Sequence, residues 1–156
     1  MLKYLAVFFV AMLPILEIRG AMPVGLTAGL PYLETLLVAI LGNMVPVPFV
    51  YLFGRKILTW GSKQKHIGPF CEKMMHKGES AGRKMAKKTG RFGIAAALTL
   101  FVGIPLPGTG AWTGTLAASF LDIGFKTTTA AVCVGVVIAG TIIGIASGGL
   151  LHILGL

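Results

Sequence analysis

Arg19 stands two residues after Glu17 in sequence otherwise suited to hydrocarbon, and much later the chain carries Gly108-Thr109-Gly110 in an equally apolar setting. A guanidinium presents a planar fork of donors that fits a phosphate or a carboxylate. Glycines let an anionic oxygen approach the backbone, and the Thr109 hydroxyl adds a donor. Short helices beginning after Gly20 and after Gly110 would add unpaired N–H groups and dipoles that favour an anion at the same place. Arg19, Gly20, Gly108, Thr109 and Gly110 are therefore read as substrate-binding residues for an anionic group. Asn43 and Trp112 join them. Asn43 either faces substrate or bonds an unwound carbonyl, the structural role being favoured. Trp112 sits over the cavity unless ordinary aromatic packing accounts for it.

Glu17 reads two ways: as a counter-ion of Arg19, or as a proton-coupling carboxylate whose protonation releases Arg19 for substrate. Residues at i and i+2 do not face each other on a helix but can in an unwound stretch. Glu34 and Asp122 close two hairpins at equivalent places, either as interfacial helix caps or as points of proton uptake and release. No Ser-His-Asp array, Cys-His pair or nucleotide loop is present, so no enzymatic activity and no cofactor are expected. His66, Cys71 and His76 are too loosely spaced for a metal site, and Cys71 and Cys133 read as unpaired thiols.

The elements that must position these groups are embedded ones. Hydrophobic residues make up 55% of the 156 and charged residues only 12%, which excludes an ordinary soluble domain. That length suffices for about four embedded segments of roughly 20 residues each, plus one surface segment. The net charge of +9 sits entirely between Arg55 and Arg91, where eleven Lys and Arg face Glu72 and Glu79. Such a connector reads as cytoplasmic under the positive-inside rule, and nucleic acid is not expected as a partner. The apolar start is followed by Glu17-Ile-Arg19 without a small-x-small site, so cleavage as a signal peptide is not expected.

Residues 2–16 form an apolar helix candidate too short to span. The chain is expected to unwind near Glu17–Gly20 and return as a half-helix from Ala21 to Leu30. Residues 35–53 are a spanning candidate interrupted by Gly42 to Pro48. Residues 55–91 read as a basic amphipathic segment, on the membrane surface or as a solvated connector. The second half repeats the plan: a half-helix from Phe92 to Val102, a break over Gly103–Gly110, a half-helix from Ala111 to Leu121, a turn at Asp122–Gly124 and a spanning helix over 127–148. Matching Gly20-Ala21 to Gly110-Ala111 sets the register between the halves.

The fold class is therefore an all-α integral membrane protein of a single membrane domain, 1–156. Two inverted repeats, 1–54 and 92–156, each hold a re-entrant hairpin and a transmembrane helix, joined by the connector 55–91. With that connector in the cytoplasm, the first hairpin enters from outside and the second from inside, and Lys126 agrees with the orientation. Gly140, Gly144 and Gly148 share one helix face, to seat the hairpins or to serve a homodimer.

Three stretches resemble the small multidrug export proteins of bacteria and archaea: Glu17-x-Arg19-Gly20-Ala21-x-Pro23-x-Gly25, Gly42-Asn43-x-x-Pro46-x-Pro48 and Pro105-Leu-Pro107-Gly108-Thr109-Gly110-Ala111-Trp112-Thr113-Gly114. More distantly, the hairpin-plus-helix plan is similar to the DedA/VTT superfamily, whose paired re-entrant loops map onto residues 2–30 and 92–121. The resemblance implies a multi-pass protein of the cell membrane that moves a small molecule or a lipid. A carrier or scramblase of an anionic amphiphile, such as a phospholipid or polyprenyl phosphate, is the first expectation, with membrane lipids as partners. A proton-coupled exporter of small cationic drugs is the second, and a non-transporting membrane scaffold the third.

Overall fold

The structure, a computed structural model, describes residues 1–63, 68–69, 72–73, 75–76, 91–106 and 108–153. Among these every regular element is a helix: α1 (Leu2–Met12), α2 (Glu17–Thr27), α3 (Tyr32–Met44), α4 (Pro46–Gly61), α5 (Arg91–Gly103), α6 (Ala111–Phe120) and α7 (Phe125–Ile153). Most of the basic connector, and with it the amphipathic-helix expectation, lies outside the described residues.

The first break falls earlier than the sequence suggests. α1 ends at Met12, Leu13 is extended, and α2 already starts at Glu17 instead of Ala21. The cause is Pro14, which has no N–H and drives the residue before it out of the helical region. Gly20 therefore lies inside the first turn of α2, packed against Leu16, and opens no helix. α3 and α4 meet at a bend at Val45, because Pro46 and Pro48 cannot donate to the carbonyls four residues back.

Tyr32–Gly54 and Phe125–Gly148 are long and apolar enough to cross a membrane, with mean hydropathy 2.1 and 2.3. Leu37, Leu41, Phe49, Val134, Ile142 and Ile145 on these segments stay exposed. An apolar belt of that extent suits lipid better than water. Behind it, α1 packs on α2 and α3, α5 packs on α7, α2 crosses onto α7, and α4 lies along α6. Val7, Ile18, Met22, Val102, Val132 and Val136 fill the shared core.

Close helix contact depends on small residues at two matched positions. A Cβ on Gly42 would lie 2.4 Å from the Phe8 carbonyl oxygen of α1, and one on Gly135 would lie 2.8 Å from the Thr99 carbonyl oxygen of α5. Of the later glycine stripe, Gly140 seats Ile18 and Leu36 and Gly144 seats Tyr32 and Met22, whereas a Cβ on Gly148 would meet nothing within 4 Å among the described residues. Most of the stripe thus holds the first half against α7.

The halves share local geometry at one constant spacing. Gly29 and Asp122 both take left-handed backbone, at φ 77° and 50°. The N–H groups that follow them, on Leu30 and Ile123, donate to Gly25 and Ala118 at 3.0 and 3.2 Å. Thr35 and Thr128 are fully buried, one turn into α3 and α7. The same spacing aligns Gly110 with Glu17, not with Gly20. It also corrects the pairing of Glu34 with Asp122: Glu34 lies inside the first turn of α3, while Asp122 precedes α7 and matches Gly29.

Candidate substrate site at the paired breaks

Leu13–Leu16 links α1 to α2, and Ile104–Gly110 links α5 to α6. The two breaks meet, so that the N-terminus of α2 abuts that of α6. Glu17 opens α2 at φ 48°, a region that residues other than glycine seldom occupy. Its N–H donates to the Leu13 carbonyl at 2.9 Å, and this tight turn swings the carboxylate towards α6. There Oε1 accepts the backbone N–H of Trp112 at 3.1 Å. The carboxylate is the cap that α6 lacks from its own N-cap residue, Gly110, and a negative charge suits that helix end.

Gly110 is fixed by this approach. A Cβ there would lie 1.7 Å from Glu17 Oε2, so no other residue leaves room for the carboxylate. The N–H of Gly110 donates to Thr113 Oγ1 at 2.9 Å, which holds the extended N-cap in place. Gly108, two residues earlier, turns the break through φ 86°.

Arg19 does not bond to Glu17; each reaches across to the second break. Its terminal nitrogen donates to Thr109 Oγ1 at 3.0 Å. Thr109 Oγ1 also lies 2.9 Å from the Ile104 and Leu106 carbonyl oxygens, which accept its proton. Its hydroxyl oxygen thus serves Arg19 as an acceptor.

A cleft of about 440 Å³ opens over the junction. Pro14, Glu17, Arg19, Gly108, Gly110 and Thr113 line it, so a guanidinium and a carboxylate share one concave surface. Deeper in lies a tight void walled by Glu17, Arg19, Asn43, Val102, Val136 and Ala139. Asn43 is fully buried.

The sequence candidates divide accordingly. Arg19, Glu17, Gly108 and Gly110 come together on the cleft, Thr109 supports Arg19, and Asn43 faces the inner void. Trp112 contributes its backbone N–H, while its indole N–H donates to the Met12 carbonyl at 3.2 Å and ties the two breaks together. Gly20 lies off the cleft. So do Glu34, which accepts the Tyr4 hydroxyl, and Asp122 in its turn.

Sequence reasoning missed Pro14 and Thr113 as lining residues. A signal existed: Leu13-Pro14 recurs as Leu106-Pro107 at the spacing that relates Gly29 to Asp122. Reading that dipeptide as the repeat mark would have placed Glu17 opposite Gly110.

The family model described as "Putative small multi-drug export protein" matches residues 17–142. The chain belongs to that family. The match opens at Glu17, takes in both N-termini of the junction, and ends within α7. No curated protein and no solved structure matches the chain. The family description and the two apolar spans together make this a membrane protein of the small multidrug export type.

Proposed function

We propose that this small multidrug export family member is a multi-pass carrier that moves an anionic amphiphile, such as a phospholipid or polyprenyl phosphate, across the cell membrane. In this reading α1–α2 and α5–α6 are re-entrant hairpins of two inverted repeats, a plan akin to the DedA/VTT superfamily. The cleft is the substrate site. The headgroup binds Arg19 and the N-terminus of α6, while the acyl or prenyl tail stays in lipid.

One observation carries the reading: the Arg19 guanidinium lines a cleft at a helix N-terminus, with a threonine hydroxyl as its hydrogen-bonding partner. A cation at that depth is costly unless it serves an anion or a water-filled path. The test is lipid flipping in proteoliposomes with fluorescent phospholipids of anionic and zwitterionic headgroup. Wild type should flip the anionic probe faster than empty liposomes, and Arg19→Ala should not. Equal rates in wild type and Arg19→Ala would overturn the assignment.

A second reading is favoured by Glu17, a carboxylate on the same cleft. A proton-coupled exporter of small cations would use it as the exchanging group. Drug resistance conferred by overexpression should then vanish in Glu17→Gln and require a proton gradient. Resistance retained in that variant would remove this reading.

A further inference from the structure

Asn43 is the only asparagine in the chain, and none of its surface is exposed. Among the described residues its Oδ1 and Nδ2 both lack a hydrogen-bond partner, and Arg19 Nε is likewise buried without one. Buried amides are nearly always bonded, so one with both ends free calls for a partner in a second arrangement. The void it faces is too tight to seat a water molecule. The partner must therefore be a side chain already at the wall. The Val102, Val136 and Ala139 side chains have no polar atoms, and Arg19, which can only donate, could serve Oδ1 but not Nδ2. Glu17, once protonated, is the side chain at this wall able to serve both ends of the amide.

The two protonation states of Glu17 suit two different partners. An ionised carboxylate only accepts, and a backbone N–H at a helix N-terminus is its complement, as at Trp112. A protonated carboxyl carries one O–H donor and one C=O acceptor, which match the Oδ1 acceptor and Nδ2 donor of a primary amide. The pair closes a ring of two hydrogen bonds.

We infer that Glu17 is a two-position proton switch, capping α6 when ionised and pairing with Asn43 when protonated. The inference deepens the carrier reading and rests on it for its purpose. When Glu17 takes a proton from the cleft and turns inward, the Trp112 N–H is left open to an anionic headgroup beside Arg19. Proton and anion then occupy the junction together, and return of the proton to the cleft restores the cap. Among the described residues, Arg19 on α2 is the one charged side chain at the void wall besides Glu17. α3 contributes Asn43 there, α5 contributes Val102, α7 contributes Val136 and Ala139, and α6 contributes Gly110 and Ala111. Lys3 and Tyr4 of α1 are engaged elsewhere, with the Ala28 carbonyl and with Glu34.

The single asparagine makes the test direct. Side-chain ¹⁵N-labelled asparagine gives one NH₂ signal in an NMR spectrum of the full chain. In wild type that signal should move as pH falls. In Glu17→Gln, whose amide also both donates and accepts, it should stand displaced from the neutral-pH wild-type position and no longer respond to pH. A Glu17→Gln signal that coincides with neutral-pH wild type, or one that still titrates, would overturn the switch. The outcome is separable from the transport test. Absent lipid flipping with a moving Asn43 signal removes the carrier and keeps the switch, and the reverse removes the switch alone.

Discussion

The two breaks have the same backbone plan and opposite chemistry. The break leading into α2 supplies side chains, with Glu17 at the first helical residue and Arg19 two further on. At the spacing that relates the halves, the break leading into α6 has Gly110 opposite Glu17 and Trp112 opposite Arg19. It supplies room, a backbone N–H, the Thr109 hydroxyl that accepts from Arg19, and an indole brace. Neither break would be a site alone: the carboxylate of one needs the missing Cβ of the other, and the uncapped helix of the second needs the charge of the first. A repeated architecture thus yields an asymmetric junction when one copy carries charged side chains and the other has glycine opposite the carboxylate.

The sharpest way to break that division is to give the second break a side chain. Gly110→Ala forces a Cβ to 1.7 Å from the Glu17 carboxylate. Overpacking of a dense site costs about 1–3 kcal/mol, and more where the displaced group is a buried charge. Loss of monodisperse protein in size-exclusion chromatography, or a large fall in Tm, is the expected outcome.

Removing the charge from the first break comes next. A charge-assisted hydrogen bond contributes about 1.5–3 kcal/mol, so Arg19→Ala should slow anionic-lipid flipping by roughly 10-fold or more. Arg19→Lys should recover part of the rate, because it restores the charge without the fork. Fluorescence quenching in proteoliposomes reads both.

Glu17→Gln sharpens the comparison from the side of the cap. It keeps the shape but removes the negative charge at the N-terminus of α6, a loss of about 0.3–2 kcal/mol. A Tm lowered by a few degrees, with the fold retained by circular dichroism, is expected. Trp112→Phe keeps the ring and deletes the indole bond to the Met12 carbonyl, which should cost about 1 kcal/mol by thermal unfolding. The smallest effect belongs to Gly148, at the end of the glycine stripe. Gly148→Ala meets nothing within 4 Å and should be neutral or stabilising by up to about 1 kcal/mol, whereas Gly144→Ala presses on Tyr32 and Met22 and should lower Tm.

Much of this molecule is determined by sequence alone. Apolar runs and prolines act locally, so the helical class, the bend at Pro46 and two segments long and apolar enough to span follow from composition and missing N–H groups. The stop at Pro14 is equally local, although the apolar run over 2–16 reads straight through it. The charge of the connector is legible in the same way, as is the presence of a guanidinium and a carboxylate near one break. What sequence does not contain is which atoms meet across more than ninety residues of chain. Pro14 ends α1 locally, but the left-handed turn by which Glu17 opens α2 aims its carboxylate at α6, where it caps the Trp112 N–H. Thr109 and Arg19 stand ninety residues apart in the chain, and only the fold shows the hydrogen bond between them. Asn43 reads as structural until both ends of its amide are found unpartnered beside Glu17 and Arg19. Local rules place the breaks, and the packing of α2 onto α7 and of α4 onto α6 turns two breaks into one junction.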